Sequence, residues 1–288
     1  MAPRFSVLLP THNRPDVLEL AIRSVRAQTL TDWELLVVGD GCTDHTASVV
    51  QGFSDPRIRW FDLPKAAGFG YANRNIALAQ ATGDLVAFLG HDNLLLSDHL
   101  ERLSGAFRRP TVQLAYSRPV FAQDDGLMVP LFVNLTVRPM MKEFMTSRNT
   151  IPANCVAHRR SALDRVGMWP LEVESAGDWH LWKRIINAFG HKSVHLVPVP
   201  TCLHFRACWR KETGWGPEPL AYLTALRDKG GYWPQQLDLR LAPHKLPQAQ
   251  VWSLMSMNLP DFSKRLRKGT SLLHDYLAWN AGLRGNSP

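Results

Sequence analysis

The residues best suited to chemistry are acidic side chains that directly follow apolar runs. Asp92 follows the apolar run at residues 85–89, and Asp40 follows a similar run at residues 34–38. Short apolar runs bounded by turn-forming residues are typical of buried parallel strands, and ligands bind beyond the carboxyl ends of such strands. A carboxylate at Asp92 suits Mg²⁺ or Mn²⁺, which prefer oxygen ligands and phosphates. Asp40 either accepts a hydrogen bond from a nucleobase N–H or only completes a turn between two glycines.

Asp178 and His91 are the next candidates. Asp178 lies where a predicted helix begins, so its carboxylate is either the helix N-cap or a positioned general base. Such a base contributes roughly 10²–10⁴-fold in rate. His91 directly precedes Asp92 and either ligates a metal, contacts a sugar or caps the strand, and the cap is the favoured interpretation.

A polar segment formed by Pro10, Thr11, His12, Asn13 and Arg14 follows the first predicted strand and brings hydrogen-bonding groups to the same edge of the sheet. It is not a glycine-rich phosphate loop, because the chain contains neither G-x-x-x-x-G-K nor G-x-G-x-x-G. We therefore expect any nucleotide to be held mainly by side chains and a metal ion.

The elements that position these residues alternate between strand and helix, which predicts an α/β protein with a mainly parallel sheet and right-handed crossovers. The pattern predicts that Pro10 ends the first strand and that Asn13 or Asp16 caps the first helix. After residue 93 the alternation of strand and helix patterns is less regular, and residues 134–157 are predicted to be irregular. The predicted strands are 5–9, 33–38, 57–61, 86–89, 113–117, 129–133 and 193–199; the predicted helices are 15–28, 44–53, 71–81, 99–107 and 179–189.

Composition bounds the class of protein. A chain of 288 residues with 45% hydrophobic residues can form one large domain, or a core of about 200 residues plus an extension. The net charge of +8 favours anionic partners, although a solvated basic face explains any single cluster equally well. Much of the basic excess lies in the C-terminal part of the chain, at Arg206, Arg210, Lys211, Lys264, Arg265, Arg267 and Lys268. The four cysteines (Cys42, Cys155, Cys202 and Cys208) fit no zinc framework and predict free thiols.

The sequence from residue 206 onward predicts a C-terminal extension with helices near 218–229, 246–257 and 270–281. Its tryptophans (Trp209, Trp215, Trp233 and Trp252) either pack in a C-terminal cap, the favoured interpretation, or contribute to an acceptor site or a membrane contact. The chain has no apparent signal peptide and no apolar run of 18 residues, so we expect a cytoplasmic protein.

Five segments in this order and spacing resemble glycosyltransferase family 2, whose members have the GT-A fold. The resemblance covers residues 5–204. The segments are residues 5–14, 37–44, 72–75, 89–93 and 177–182, which resemble V-S-V-I-I-P-T-Y-N-R, V-V-D-D-G-S-T-D, A-R-N, L-D-x-D and E-D-x-D-L-W respectively.

The resemblance implies a role for each matching residue. Thr11 and Asp40 would contact the nucleoside, Arg74 would lie near the ribose or diphosphate, and Asp92 would bind Mn²⁺ or Mg²⁺. Asp178 would deprotonate the acceptor hydroxyl. His204 falls where some members place a further metal or diphosphate ligand, although a lone histidine on a strand is more often structural. Pro10, Asn13, Arg14 and His91 complete the expected donor site.

Three acids of the family pattern are missing. Gly39 replaces the first acid of D-D-G, His91 replaces the acid before Asp92, and Gly177 replaces the glutamate before Asp178. The acid retained at each place is the one on which the family's chemistry depends most. Fewer carboxylates near the diphosphate would weaken metal affinity or change the sugar preference.

The resulting expectation is an inverting, metal-assisted glycosyltransferase of polysaccharide biosynthesis that moves a sugar from a nucleotide-diphosphate donor to a saccharide or other hydroxyl acceptor. The Asp40 position favours a uracil or thymine donor, with a UDP-sugar first and guanine left open. The expected domains are a GT-A domain at 1–205, with a donor half (1–93) and an acceptor half (94–205), and a helical extension at 206–288. Nucleic acid is not an expected partner, whereas contact with the inner membrane face through the basic C-terminal region stays open. The alternatives are a non-catalytic nucleotide- or sugar-binding relative and a sugar nucleotidyltransferase.

Overall fold

A computed structural model describes residues 4–205, 218–228 and 231–280. The strands are β1 (Phe5–Thr11), β2 (Trp33–Asp40), β3 (Ile58–Leu63), β4 (Leu85–Phe88), β5 (Leu94–Leu95), β6 (Leu114–Ser117), β7 (Val120–Ala122), β8 (Met128–Pro130), β9 (Val156–Arg159), β10 (Val194–Val197) and β11 (Cys202–Phe205). The helices are α1 (Pro15–Arg26), α2 (Thr46–Gly52), α3 (Tyr71–Leu78), α4 (His99–Ala106), α5 (Arg138–Thr146), α6 (Ala162–Val166), α7 (Gly177–Phe189), α8 (Glu218–Asp228), α9 (Pro247–Met257) and α10 (Leu259–Asn280).

The main sheet has seven strands in the order β10-β6-β9-β4-β1-β2-β3. β1 runs parallel to both β2 and β4, and β2 runs parallel to β3. All residues of β2 and β4 are buried, because helices cover both faces of the sheet, and this burial explains their continuous apolar sequences. The carboxyl ends of β1, β2 and β4 therefore meet at one edge, as the sequence predicts.

The first helix buries the residues that its periodicity selects. Val17, Leu18, Ala21, Ile22 and Val25 are all buried, and the last four pack in the main hydrophobic core. The predicted caps were wrong: Arg14 is the N-cap residue, with no side-chain capping hydrogen bond. The prediction that β1 ends before Pro10 was also wrong. β1 pairs with β4 only up to Leu8, whereas its pairing with β2 continues to Thr11. Pro10, which lacks an N–H, therefore lies where β1 has a partner strand on one side only.

The prediction that residues 134–157 are irregular was wrong. This region contains α5 and the start of β9, which lies inside the main sheet between β6 and β4 and runs antiparallel to both. β9 is only four residues long and contains His158 and Arg159, so its sequence resembles a loop. The strand tolerates Arg159 because the guanidinium donates to the carbonyls of Val112 and Phe107 at the sheet margin.

A smaller sheet, in the order β5-β11-β7-β8, connects the end of β4 to the C-terminal helices. The helices α8, α9 and α10 confirm the predicted helical segments, although α10 begins earlier than predicted. Leu94 and Leu203 pack in one hydrophobic cluster with Val251, Leu266 and Leu273, so side chains from both sides of residue 206 share a core. The domain boundary at 205/206 stays a prediction.

The C-terminal aromatic and basic residues have different environments. Trp233 and Trp252 are partly buried against this second cluster, as cap packing predicts. Arg267 forms two hydrogen bonds with Asp98 at 2.8 and 2.6 Å, so it joins α10 to the start of α4. Lys264, Arg265 and Lys268 are exposed on α10. Six further residues of the sequence predictions lie outside the described residues, namely Arg206, Cys208, Trp209, Arg210, Lys211 and Trp215.

The three described cysteines are free thiols. Cys155 and Cys202 are buried, with their sulfur atoms 3.3 Å apart. Cys42 is partly exposed beside the end of β1, where its sulfur lies 3.9 Å from the carbonyl oxygen of Thr11.

Candidate active site

Asp40, the last residue of β2, is held by donors from its own chain. Lys65 and the Ala66 N–H (2.9 Å) donate hydrogen bonds to its carboxylate, as does the Asn73 amide (2.7 Å). Burial opposes ionisation, but these donors, with Lys65 the strongest, lower the pKa of Asp40 below its ordinary value. Asp40 is therefore an ionised acceptor that also orders the segment from Lys65 to α3.

The end of β1 joins Asp40 to the end of β4. The His12 ring donates from Nδ1 to the backbone carbonyl of Asp40 at 2.8 Å. Thr11 Oγ1 and His91 Nδ1 are hydrogen-bonded at 3.1 Å. The structure thus brings Thr11, Asp40 and His91 together, as the strand-end argument predicts. It also explains the replacement of an acid by His91, whose ring bonds to the neighbouring strand end.

The loop after β1 has a fixed conformation. Asn13 has a left-handed backbone (φ 50°), which asparagine tolerates better than most residues. Its carbonyl oxygen accepts the Thr43 N–H at 2.8 Å, and its amide donates to the Thr43 hydroxyl at 3.1 Å. Arg14 forms an ion pair with Asp16 at 3.6 Å. Asn13 therefore fixes the conformation of the loop that follows β1.

Helix α3 connects Asp40 with Asp178. Asn73 bonds to Asp40, while the guanidinium of Arg74, one residue further on, stacks over the rings of Tyr71 and Trp169 at 5.1 and 4.8 Å. Gly70, which precedes α3, has φ 72°, and a Cβ there would lie 2.8 Å from Asp40 Oδ2. Glycine is therefore needed for α3 to approach Asp40 this closely.

Asp178 lies in the first turn of α7, and the structure excludes it as the N-cap because that residue is Ala176. Its Oδ1 accepts the Trp179 N–H at 2.8 Å. Burial raises the pKa of Asp178 above its ordinary value, although the Trp179 N–H and the positive charge of Arg74 lower it. A carboxylate with a raised pKa near a fixed cation has the properties of a general base.

Aromatic rings fill the space of two missing acids. A Cβ at Gly177 would lie 2.7 Å from Cζ of Tyr71, and a Cβ at Gly39 would lie 2.3 Å from Cη2 of Trp60. Trp60 extends from the neighbouring strand β3, where it is partly buried. The two glycines are thus sterically required by aromatic residues distant in sequence, and a larger side chain would displace them.

Asp92 and His204 lie on adjacent segments. The Phe205 N–H donates to the Asn93 side chain at 2.9 Å, which fixes β11 beside the segment that contains Asp92. His204 Nδ1 is buried and has no hydrogen-bond partner within the described part of the chain. Burial lowers the pKa of His204 to about 4, so its ring is neutral at physiological pH, as a metal ligand must be. The described residues contain no cluster of three or more ligating side chains, so phosphates would have to complete a metal shell.

A cleft of about 760 Å³ opens beside Asp92. Its walls combine Arg14 and Asp16 at the start of α1, Asp124 and Asp125 of the turn between β7 and β8, and residues 241–248 before and at the start of α9. Asp92 is therefore accessible from a cavity large enough for a sugar or a nucleotide.

A family comparison identifies the chain's class. The model of the family "Glycosyl transferase family 2" matches residues 6–167, which is more than half of the chain. The chain belongs to glycosyl transferase family 2. The order of its sequence motifs agrees with this membership.

Two curated relatives of this family 2 chain are bacterial. It is 41% identical to a GalNAc(5)-diNAcBac-PP-undecaprenol β-1,3-glucosyltransferase of Campylobacter jejuni over 103 residues, which are 35% of this chain and 33% of the relative. It is 28% identical to the UDP-Glc:α-D-GlcNAc-diphosphoundecaprenol β-1,3-glucosyltransferase WfgD of Escherichia coli over 185 residues, 63% of this chain and 69% of the relative. The matches thus span about one third of one relative and two thirds of the other.

A solved structure has the same fold over nearly the whole chain. The mannosyltransferase PcManGT of Pyrobaculum calidifontis, in complex with GDP-Man and Mn²⁺, matches with a TM-score of 0.53 and 20% identity. The match covers 98% of this chain and 84% of that one. The mixed sheet and its helices therefore form the GT-A fold, as the resemblance implies.

Sequence reasoning missed the residues that support the predicted ones. Lys65 and Asn73 hold Asp40 in place, and the rings of Tyr71 and Trp60 occupy the space beside Gly177 and Gly39. Each of these residues comes from a different segment of the chain than its partner. Only Asn73 had a sequence signal, since it lies inside the segment Ala72-Asn73-Arg74-Asn75 that resembles the family.

Proposed function

We propose that this chain transfers a sugar from a UDP-sugar to a hydroxyl of a saccharide acceptor, with inversion at the anomeric carbon. The observation that carries the proposal is the position of Asp178: it lies in the first turn of α7, with a raised pKa, near the positive charge of Arg74 on α3, the helix whose Asn73 contacts Asp40. The family membership and the two glucosyltransferase relatives support the same reaction class.

Asp178 acts as the base in a single displacement. Its carboxylate takes the proton of the acceptor hydroxyl as that oxygen attacks the anomeric carbon, and the bond to the diphosphate breaks on the opposite face. The raised pKa increases the proton affinity of Asp178, which makes it a stronger base than an exposed aspartate. One base and one displacement give inversion.

Asp40 and Thr11 hold the nucleoside in this proposal. An ionised carboxylate has about four acceptor positions, and three of those of Asp40 receive donors from the chain. The fourth accepts the N–H of a uracil. Arg74 contributes positive charge near the diphosphate, with Pro10, Asn13 and His91 shaping the pocket around it.

Asp92 and His204 would hold a divalent metal ion, and Mn²⁺ fits a mixed oxygen and nitrogen donor set. The buried, unpartnered Nδ1 of His204 supports this assignment, as does the Mn²⁺ in the PcManGT complex. When bound, the ion would offset the negative charge of the diphosphate leaving group.

The acceptor in this proposal is a lipid-linked saccharide, as in the names of both bacterial relatives. None of the described helices combines the length and the hydrophobicity that a membrane span requires. The exposed side chains of Lys264, Arg265 and Lys268 form a basic face on α10 that would attract anionic lipid heads, placing the site at the inner membrane face.

Incubation of the protein with UDP-, dTDP- and GDP-sugars, with and without Mn²⁺, tests the proposal through release of nucleotide diphosphate. Asp178→Asn should lower turnover by about 10²–10⁴-fold while UDP binding is kept. Asp164→Asn, at an exposed acid of α6, is the matched control and should be neutral. Binding of UDP without turnover of any donor, with the candidate acceptors present, would instead favour a non-catalytic binding protein.

A further inference from the structure

The cleft beside Asp92 has a wall with a fixed backbone. This wall, residues 241–248, is joined to the opposite turn because the Leu241 N–H donates to the Asp125 carbonyl at 2.9 Å. The Gln250 side chain closes the loop: its Oε1 accepts the Ala242 N–H at 2.8 Å, and its Nε2 donates to the carbonyls of Ala242 and Lys245 at 3.0 and 3.3 Å. A short loop held at both ends by one side chain is preorganised for binding.

The same loop contains backbone strain. His244 lines the cleft with φ 61°, a left-handed conformation that costs a non-glycine residue free energy. Strained residues of this kind are concentrated at sites that hold ligands, where the surrounding structure maintains them. Here the Gln250 hydrogen bonds maintain the conformation.

Gln248 provides a buried polar group with an unused acceptor. Its side chain lines the cleft and is only 7% exposed, and Nε2 donates to the backbone carbonyl of Asp92 at 3.4 Å. Its Oε1 is buried without a hydrogen-bond partner within the described residues. Buried amide oxygens are nearly always satisfied, so this atom is expected to accept a hydrogen bond from a ligand.

The charges of the cleft select the ligand class. Four aspartates line it (Asp16, Asp92, Asp124 and Asp125) against Arg14 and Lys245. With Asp92 assigned to the metal ion, three carboxylates still face two cations, which disfavours an anionic sugar and favours an uncharged one with several hydroxyl donors.

We infer that this cleft is a saccharide subsite that binds an uncharged, hydroxyl-rich sugar unit, with Gln248 Oε1 accepting one of its hydroxyl hydrogen bonds. The inference rests on the proposed function, because the sugar belongs either to the donor or to the acceptor of glycosyl transfer. Gln248 is then a specificity-determining residue contributed by the C-terminal helices.

Binding measurements on the Gln248→Met variant test the subsite and separate its two possible sources. Calorimetry with UDP and UDP-glucose reports the donor sugar, and saturation-transfer NMR with methyl β-D-glucopyranoside in the presence of UDP reports an acceptor sugar. Loss of one neutral hydrogen bond predicts about fivefold weaker binding of the sugar in one of these experiments, with UDP affinity unchanged. Methyl glucuronide should bind more weakly than the neutral glycoside.

Gln51→Met, at an exposed position of α2, is the matched control and should behave as wild type. Asp124→Asn on the opposite wall provides a second test if Gln248→Met lowers the melting temperature. The inference is overturned if Gln248→Met binds both UDP-glucose and the methyl glucoside with wild-type affinity. It is also overturned if the glucuronide binds as tightly as the neutral glycoside. Failure of UDP itself to bind would count against the proposed function and not against the subsite, because the NMR experiment measures binding of the glycoside directly.

Discussion

The hydroxyl of Tyr71 accepts the backbone N–H of Gly177 at 2.9 Å, and the Tyr71 ring occupies the space into which a side chain at position 177 would extend. The contact joins the first residue of α3 to the first residue of α7, and thus the Asp40 side of the site to Asp178. Tyr71 therefore positions the start of the helix that carries the proposed base.

Gly177→Ala should lower the free energy of unfolding by about 1–3 kcal/mol, because the new Cβ would overlap the Tyr71 ring. Denaturant unfolding measures the change. Gly105→Ala is the matched control, since no atom surrounds a Cβ at that helical position, and it should stabilise by about 0.5–1 kcal/mol. Equal stability of the two variants would contradict the described packing of Tyr71.

A double-mutant cycle of Gly39→Ala and Trp60→Val tests the second aromatic contact. Gly39→Ala alone should destabilise because its Cβ would overlap Trp60, and Trp60→Val should relieve that overlap. We expect a coupling free energy of about 0.5–3 kcal/mol from denaturant unfolding. Gly52→Ala, which meets no atom within 4 Å, should show no coupling to Trp60. Strict additivity at position 39 would rule out the contact.

The pH dependence of turnover should report the environment of Asp178. A base acts in its ionised form, so kcat should rise with pH through the pKa of Asp178, which burial raises above the ordinary aspartate value. Arg74→Gln removes a positive charge that lowers this pKa, so the rise of kcat on the acid side of the pH profile (the acid limb) should move to higher pH. Arg165→Gln, at an exposed arginine of α6, should leave the limb in place. A limb that shifts downward in Arg74→Gln would contradict the assignment of Asp178.

Metal binding should depend on Asp92 and His204 together. We expect Asp92→Ala and His204→Ala each to weaken Mn²⁺ binding about 10-fold or more, measured by calorimetry in the presence of UDP. Asp84→Ala, at an exposed acid before β4, should bind the ion as wild type does. If only Asp92→Ala weakened binding, His204 would be a structural histidine beside Phe121 rather than a ligand.

Membrane attachment should depend on the basic face of α10. Replacement of Lys264, Arg265 and Lys268 by glutamate should reduce co-sedimentation with vesicles that contain anionic lipid, most strongly at low salt. The control replaces Arg108, Arg109 and Lys192, which are exposed elsewhere, and makes the same change in net charge. An equal loss in both variants would mean that net charge alone drives attachment.

The sequence predicted the elements that have a strong local pattern. α1 and β2 were recognised because an amphipathic period and a continuous apolar run each fix one structure, and the acids at the strand ends followed from the parallel topology. β9 was missed because its burial comes from neighbours on both sides rather than from its own four residues. The donors to Asp40 and the ring over Gly39 could not be predicted, because those contacts join residues more than 20 positions apart.

The position of Cys42 provides a natural attachment point for a spectroscopic reporter. Among the described cysteines, Cys155 and Cys202 are buried, whereas Cys42 is partly exposed beside the Thr11 carbonyl. With Cys208 replaced by serine, a thiol-reactive dye should label Cys42 alone in the native protein. Such a dye would sit next to the proposed nucleoside pocket, so its emission would follow donor binding in real time without any engineered cysteine.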